Sequence, residues 1–345
     1  MHRPSLILRT LLAASLIGGL AQAQTAPDAA APTLPSADPA KIPELRAGSG
    51  YLIGYLPRKD LPNSLQLLPA PSVNGSAAAA ADLAFHQQLQ GQRSGLRWEL
   101  AAQDAVLKFP AVASTFSCAL GVSISQETTP HLNMLLRRSL ADAGLSTYAA
   151  KDKYQVPRPF VKLAQPTCSP AEEAALTRDG SYPSGHAAAG WAWGLILTEL
   201  APERSQALLE RAYAFGQSRA ICGVHWQSDV DAGRLVASAT VARLQSNAEF
   251  RAQLALARAE VAAARAKGAQ PEGDCAAEAA TLLACIEGQT GHLGTLELDD
   301  DDRAELEKVR EEKLAAGQFT KVSGEVGAQA ADGSSTSITQ AQALV

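Results

Sequence analysis

Residues 129–144 read TPHLNMLLRRSLADAG, and this stretch decides the fold class. Its leucines recur at intervals of three and four residues, the spacing of one buried face of an α-helix: Leu132, Leu135, Leu136 and Leu140. Thr129 can cap the first turn, Pro130 is tolerated there and Gly144 marks a stop. The stretch therefore predicts a helix that buries its leucine face.

Helical patterns continue toward the C-terminus. We predict one helix over residues 186–200, another after Pro202, and a third from near Ser228, where Ser228 and Asp231 have the spacing of a capping box. The alternation of apolar and polar residues that strands need is scarce. The chain is 46% apolar but only 5% aromatic, which favours helices packed through small side chains over a β-sandwich. The sequence predicts an all-α protein with a single helical-bundle domain.

The first 23 residues resemble a cleaved export signal. A basic start precedes an apolar run from Leu11 to Leu20, and Ala21-Gln22-Ala23 supplies the small residues that signal peptidase reads. We expect cleavage before Gln24 and export to the periplasm. The run is too short to span a bilayer and no later stretch is long enough, so we predict no membrane span.

Composition also divides the rest of the chain. Residues 24–48 are mostly small and polar, which predicts a flexible, disordered leader. The folded domain is expected over residues 49–266. Residues 267–345 are predicted to form a C-terminal extension that is partly helical and ends in a disordered tail.

Charge and cysteine content narrow the function class and the covalent structure. A net charge of −5 argues against a nucleic-acid partner. In an oxidising compartment the five cysteines are free to pair. Cys275 and Cys285 lie close together in an Ala-rich segment expected to form a helical hairpin, so we predict a bridge between them. Cys118, Cys168 and Cys222 are dispersed, and buried unpaired thiols explain them at least as well.

Three short clusters of cations, histidines, glycine and proline lie between the predicted helices. They are Lys151 with Arg158-Pro159, then Pro183-Ser184-Gly185-His186, then Ser218-Arg219 with His225 and Asp229. Taken singly, each has a structural explanation. A cation at a helix end compensates the dipole, a Pro-Ser-Gly turn starts a helix, and a histidine is more often a satisfied core or surface residue than a functional one.

Taken together, the clusters fit phosphoryl transfer, which needs fixed positive donors around three equatorial oxygens. Lys151, Arg158 and Arg219 supply the positive charge. Ser184 and Gly185 open a helix whose N–H groups, with the Ser184 hydroxyl, favour an anion, and the missing Cβ of Gly185 allows close approach.

The same chemistry needs an in-line nucleophile. His225 and Asp229 are four residues apart, which places a carboxylate beside an imidazole. Such a carboxylate fixes the tautomer by accepting from one ring nitrogen and leaves the other nitrogen free to attack.

The order and spacing of the clusters also resemble a known family. Lys, six residues, Arg-Pro, then Pro-Ser-Gly-His, then Ser-Arg, five residues, His, three residues, Asp is similar to the signature shared by type 2 phosphatidic acid phosphatases, bacterial class A non-specific acid phosphatases and vanadium haloperoxidases. Gly180-Ser181-Tyr182 and residues 221–229 look most like the class A acid phosphatases. The resemblance covers about residues 51–266 and implies a helical bundle of the acid phosphatase and haloperoxidase type.

The resemblance implies roles for individual residues. His225 would be the nucleophile that forms a phosphohistidine, Asp229 would orient it, and His186 would protonate the leaving alcohol and then activate water. The phosphoryl oxygens would be held by Lys151, Arg158, Ser184, Gly185 and Arg219. No metal or other cofactor is implied, and the motif brings no carboxylate cluster for magnesium.

The function expected from this resemblance is that of an exported acid phosphatase with an acidic optimum. It would hydrolyse a broad range of small phosphate monoesters, with phosphotransfer as a side activity, and the family implies a homo-oligomer. One alternative is a vanadate-dependent haloperoxidase that uses the same anion cradle for a cofactor. Another is a soluble phosphatase acting on lipid or diphosphate substrates. A non-catalytic phosphate-binding protein is disfavoured because His186, His225 and Asp229 are all present.

Overall fold

A computed structural model describes residues 34–290, with side chains to residue 282, and the backbones of residues 327–329 and 335–337. The predicted signal peptide, the start of the leader and nearly all of the polar tail lie outside these residues. Within them the chain is helical, and a short antiparallel strand pair near the C-terminus, β1 (Gly327–Gln329) with β2 (Ser335–Ser337), is the exception. The predicted all-α class is confirmed.

The helices follow one another with short connections. In chain order they are α1 (Ser64–Leu67), α2 (Ala77–Gln88), α3 (Gly95–Asp104), α4 (Ser117–Leu120), α5 (Pro130–Ser146), α6 (Tyr148–Tyr154), α7 (Pro159–Leu163), α8 (Glu173–Leu176), α9 (Gly185–Leu200), α10 (Ser205–Ile221), α11 (Gln227–Leu244), α12 (Ala248–Ala266) and α13 (Cys275–Thr290). Tight 3-10 turns occupy Pro39–Lys41, Arg58–Asp60, Leu89–Gln92, Ala111–Phe116, Pro170–Glu172 and Pro202–Arg204.

Helix α9 is the centre of the bundle and packs on α5, α10 and α11, while α12 packs on the outside of α5. The predicted leucine face of α5 is buried in the main core. Trp193 of α9 lies in the same core, where its indole N–H donates to the Leu136 carbonyl at 3.0 Å and its ring meets Phe116 and Phe215 edge-on or tilted. The core therefore ties α5, α9 and α10 into one rigid unit.

Two glycines permit helix contacts that set the geometry of the site. A Cβ on Gly190 of α9 would lie 2.3 Å from the Phe215 ring of α10. A Cβ on Gly233 of α11 would lie 2.4 Å from the carbonyl oxygen of Ser184, immediately before α9. Because neither position has room for a methyl group, α10 and α11 approach α9 more closely than larger residues would allow.

Some helix ends differ from the sequence prediction. Helix α5 runs through Gly144 to Ser146, and Thr129 is its N-cap although the Thr129 hydroxyl oxygen accepts no capping hydrogen bond. The predicted capping box of Ser228 and Asp231 is wrong, because α11 begins one residue earlier with Trp226 as N-cap. The Trp226 N–H instead donates to Asp229 Oδ2 at 2.8 Å.

The ordered chain begins before residue 49. Pro39–Lys41 form a 3-10 turn, the Ala37 carbonyl accepts from Gln126 at 2.8 Å, and the Ile53 N–H donates to the Pro43 carbonyl at 2.9 Å. Residues 34–48, assigned to a flexible leader from composition, are thus held by hydrogen bonds to the folded domain.

The disulfides correct the predicted pairing. Cys118 bonds Cys275, with Cα atoms 5.3 Å apart, and Cys168 bonds Cys222. Cys275 opens a continuous helix instead of a hairpin, so Cys285 lies roughly 15 Å further along its axis. A disulfide needs Cα atoms within about 7 Å. The first bond ties the C-terminal extension to the domain.

None of the helices in the described part of the chain has the length and hydropathy of a membrane-crossing segment.

Candidate active site

The connection between α10 and α11 buries the predicted nucleophile and its carboxylate. His225 is 2% exposed and Asp229, in the first turn of α11, is 1% exposed. The distance from His225 Nδ1 to Asp229 Oδ2 is 3.3 Å. The sequence spacing of four residues therefore does place the carboxylate beside the imidazole, across the start of the helix.

The neighbours of His225 determine its tautomer. Nε2 lies 3.0 Å from Nη1 of Arg158, and since a guanidinium only donates, Nε2 carries a lone pair. The proton is therefore on Nδ1, which faces Asp229 Oδ2 and, at 3.2 Å, the hydroxyl oxygen of Ser181. This tautomer has its nucleophilic nitrogen directed at a cation.

Ser181 is a site residue to which the sequence analysis gave no role. Its hydroxyl donates to Asp229 Oδ2 at 2.5 Å, so this one oxygen accepts from Ser181, from the Trp226 N–H and from His225. Ser181 stands two residues before the Pro-Ser-Gly-His motif, and nothing in its residue type distinguishes it from an ordinary loop serine.

Arg158 and Lys151 are held by the loop that leads into α9. Arg158 donates to carbonyl oxygens of this loop and, through Nη2, to Asp179 Oδ2 at 3.0 Å. Lys151 Nζ donates to the Gly180 carbonyl at 2.5 Å and lies 3.5 Å from the same Asp179 oxygen. Asp179, another residue missed by the sequence reasoning, thus holds both cations side by side against their repulsion.

Arg219 differs from the other two cations. Its side chain is fully buried on α10, yet no nitrogen of its guanidinium makes a hydrogen bond within the described residues. The nearest charge partner is Glu172, at 3.9 Å from Nη2. A buried, positively charged fork with free N–H groups is a strong binding element for phosphoryl oxygens.

Ser184 and Gly185 form the N-terminus of α9. Ser184 is the N-cap, and its Oγ accepts from the Ala187 N–H at 3.2 Å, so the hydroxyl hydrogen remains available to donate. The Ser184 N–H donates to the Asp229 carbonyl at 2.9 Å and is therefore not one of the groups that could face an anion. The positive end of the α9 dipole still points out of the helix at this position.

His186 is in the first turn of α9 and its Nε2 lies 2.9 Å from the carbonyl oxygen of Ala105. Because a carbonyl only accepts, Nε2 carries the proton and Nδ1 is the ring nitrogen left for chemistry. Ala105, the C-cap of α3, is a contact that no sequence signal indicated, since a backbone carbonyl has no residue signature.

The electrostatics of the site favour the neutral form of both imidazoles. Burial, followed by the charges of the surrounding cations, lowers the pKa of His225 and of His186 well below the usual 6.5. Burial and the neighbouring Arg158 lower the pKa of Lys151 to about 8. Burial raises the pKa of Asp229 to about 6, against the effect of its hydrogen-bond donors.

All eight residues predicted from the sequence therefore belong to one site. His225 is linked to Arg158 and Asp229, Asp229 to Ser184, and Arg158 through Asp179 to Lys151. Arg219 and His186 are close enough that the charge of Arg219 helps lower the pKa of the imidazole. Gly185 follows Ser184 at the start of α9. The arrangement combines a neutral imidazole beside a carboxylate, three cations and a second histidine.

Comparison with known proteins identifies relatives that are named as phosphatases. The family model of the PAP2 superfamily matches residues 133–250, which contain every residue of the site described so far except Ala105. Over 209 residues the chain is 46% identical to a non-specific acid phosphatase of Providencia stuartii, covering 60% of this chain and 84% of that protein. It is 39% identical over 210 residues to an acid phosphatase of Zymomonas mobilis, covering 60% and 78% of the two chains. It is 42% identical over 200 residues to a non-specific acid phosphatase of Salmonella typhimurium, covering 58% and 80%.

Proposed function

Since this chain belongs to the PAP2 superfamily and, within it, to the class A non-specific acid phosphatases, we propose that it hydrolyses phosphate monoesters through a phosphohistidine intermediate. The observation that carries the mechanism is the tautomer of His225. Its Nδ1–H faces Asp229, and its Nε2 lone pair faces the cation Arg158. A neutral imidazole held in this orientation is an activated nucleophile.

In the first half-reaction His225 Nε2 attacks phosphorus. The N–P bond forms as the bond from phosphorus to the ester oxygen breaks, and the electron pair stays on that oxygen, which takes a proton from His186 Nδ1. Asp229 stabilises the positive charge that develops on the ring through Nδ1–H. Arg158 Nη1 moves its hydrogen bond from Nε2 to a phosphoryl oxygen.

His186 must hold a proton before this step although burial and the charge of Arg219 lower its pKa. A phosphate dianion bound beside Nδ1 favours the imidazolium form, and the Ala105 carbonyl supports the same form from Nε2. The acid is therefore charged together with the binding of substrate.

In the second half-reaction His186 acts as a base. It removes a proton from water as the water oxygen bonds to phosphorus, and the N–P bond returns its electron pair to His225 Nε2. An alcohol in place of water would produce a new ester, which is the phosphotransfer side activity. Three cations and the α9 N-terminus contact the phosphoryl group but no particular alcohol, which supports a broad range of small monoesters.

Two substitutions test the assignment. His225→Ala removes the nucleophile and should abolish turnover on every ester and the trapping of radiolabelled phosphate on the protein. His186→Ala should cost roughly 10²–10⁴-fold with an alkyl phosphate and much less with p-nitrophenyl phosphate, because a good leaving group needs little protonation. Equal losses on both esters would remove His186 from the role of acid.

We also propose that the protein is exported to the periplasm after cleavage before Gln24 and that it assembles as a homo-oligomer. Two disulfides between distant cysteines support an oxidising compartment. N-terminal sequencing of protein from a periplasmic extract tests the cleavage site, and light scattering of the purified enzyme tests the assembly state.

A further inference from the structure

Among the described residues, the His186 ring has its hydrogen-bond partner at the C-terminus of α3, where the Ala105 carbonyl lies 2.9 Å from Nε2. Ala105 is the residue after α3, and its carbonyl is among the groups at a helix end that lack an intrahelical partner. The position of the ring, its tautomer and part of its affinity for a proton therefore depend on where α3 ends.

That end is fixed by Asp104, the last residue of α3. Asp104 is 1% exposed, and its two oxygens accept from both terminal nitrogens of Arg211, at 2.5 and 3.2 Å. The Ser218 hydroxyl donates to Oδ2 at 2.6 Å. Arg211 and Ser218 both belong to α10, so the buried carboxylate joins α3 to the helix that carries Arg219.

The surrounding groups complete this connection. Arg97, about two turns earlier on α3, donates to Ser218 Oγ at 3.0 Å and to the Ala214 carbonyl at 3.1 Å. From outside, Glu278 of α13 lies 3.4 Å from Arg211 Nε. The charged groups that face Asp104 thus come from α3, α10 and the C-terminal extension. They include Arg219 of the phosphate site, where burial lowers the pKa of the guanidinium and the charge of Asp104 acts to raise it.

We propose that Asp104 is a positioning residue for His186: by bonding the end of α3 to Arg211 and Ser218 of α10, it holds the Ala105 carbonyl at Nε2 and keeps Nδ1 directed at the leaving oxygen. The proposal rests on the function assigned to His186 above. Asp104 touches neither substrate nor the reacting atoms, so its effect is expected in the step that needs the acid and not in nucleophilic attack.

The path from the Asp104 carboxylate to the His186 imidazole is short. Asp104 and Ala105 are adjacent, so a shift of the carboxylate moves the carbonyl directly. If the carbonyl moves away, Nε2–H loses its partner, the ring is free to rotate, and the imidazolium loses the stabilising dipole of the α3 C-terminus.

The test is Asp104→Asn in the full-length chain, with kcat/KM measured per folded molecule on p-nitrophenyl phosphate and on ethyl phosphate. We expect the loss on ethyl phosphate to exceed the loss on p-nitrophenyl phosphate by about tenfold or more, the signature of an impaired acid. In the double variant Asp104→Asn/His186→Ala, the leaving-group ratio should equal that of His186→Ala alone, because the two residues act through one group.

Asp142→Asn is the matched control. Asp142 is equally buried, on α5, and accepts from the Tyr55 and Leu56 N–H groups at 2.9 and 3.0 Å, neither of which belongs to the site. Its loss should be the same on both esters. If Asp104→Asn also loses equally on both, or loses nothing, Asp104 is a structural residue only and the proposal is wrong.

Two further measurements keep the outcome decisive. If Asp104→Asn does not fold, Ser218→Ala removes one bond to the carboxylate and should show the same preference for the aryl ester in a smaller degree, while equal losses would overturn the proposal. If His186→Ala itself shows no leaving-group dependence, the proposed function of His186 fails, which is distinguishable from a failure of Asp104 alone.

Discussion

Removal of the Cys118–Cys275 disulfide should destabilise the protein strongly while leaving catalysis intact. The two cysteines are 157 residues apart, but the Cys168–Cys222 bond bypasses 54 of those residues, so the loop closed by Cys118–Cys275 is effectively roughly 100 residues long. Closing a loop of that length lowers the entropy of the unfolded chain, which is worth about 4–5 kcal/mol of stability. Removal of native disulfides typically lowers the free energy of unfolding by about 2–5 kcal/mol.

The assay is urea unfolding of Cys118→Ser, Cys275→Ser and the double variant, with turnover per folded molecule measured in parallel. Each variant should lose the same free energy of unfolding, and the double variant should lose no more than either single one, because all three break one bond. Turnover should stay within a few-fold, since Arg211 keeps both bonds to Asp104. A chain ending at Lys267 should behave in the same way.

Cys285→Ser is the control that separates the two pairings. It should be neutral if Cys118 bonds Cys275. If Cys285→Ser matched Cys275→Ser while Cys118→Ser were neutral, the short-range bridge expected from the sequence would be correct and the long-range one wrong. A folded truncation at Lys267 with turnover reduced about a hundredfold, or 2.7 kcal/mol of transition-state stabilisation, would show that the extension contributes to the site.

Three other outcomes follow from the site and the helix contacts. The pKa of Lys151 is lowered to about 8, so kcat/KM should fall as the pH rises through about 8. This alkaline limb of the pH profile should disappear in Lys151→Arg, because an arginine cation does not titrate there. An unchanged limb would assign the titration to another group. Vanadate should bind more tightly than phosphate as an inhibitor, because its trigonal-bipyramidal form resembles the transition state held by Arg219 and the other cations. Equal inhibition constants for the two anions would contradict in-line attack. Gly233→Ala should cost about 1–3 kcal/mol of stability and reduce kcat, because its Cβ would meet the Ser184 carbonyl at 2.4 Å. Gly144→Ala on α5, which has open space around it, should be neutral or slightly stabilising. Equal effects of the two substitutions would contradict the close approach of α11 to α9.

The helices were predictable from sequence because their apolar periodicity and their Pro and Gly terminators are local signals. The cations and histidines of the site were predictable because they cluster with glycine and proline in the connections between the predicted helices. Asp179 and Ser181 were not, since an aspartate and a serine in a loop are ordinary residues until the fold places them beside Arg158 and Asp229.

Contacts made by the backbone or by distant partners were beyond the sequence for a different reason. The Ala105 contact uses a backbone carbonyl oxygen, which every residue has, so the residue type does not indicate it. The partner of Cys275 depends on where α13 packs against the domain. Two cysteines that are close in sequence cannot bond when the segment between them is a continuous helix that keeps them apart. The N-terminus of α11 was misplaced because the Trp226 N–H at its start is bonded by the carboxylate of Asp229, the residue proposed to orient His225.

That last feature ties the activity of the enzyme to the first turn of α11. Asp229 Oδ2 accepts both the Trp226 N–H that starts α11 and the His225 Nδ1–H that orients the nucleophile. The nucleophile consequently exists in its reactive form only while that turn is wound. Trp226, Asp229 and Val230 are buried, so this turn opens only together with the packing around it. We therefore expect heat inactivation and heat unfolding to coincide, so that activity reports on the packing of the bundle around α11.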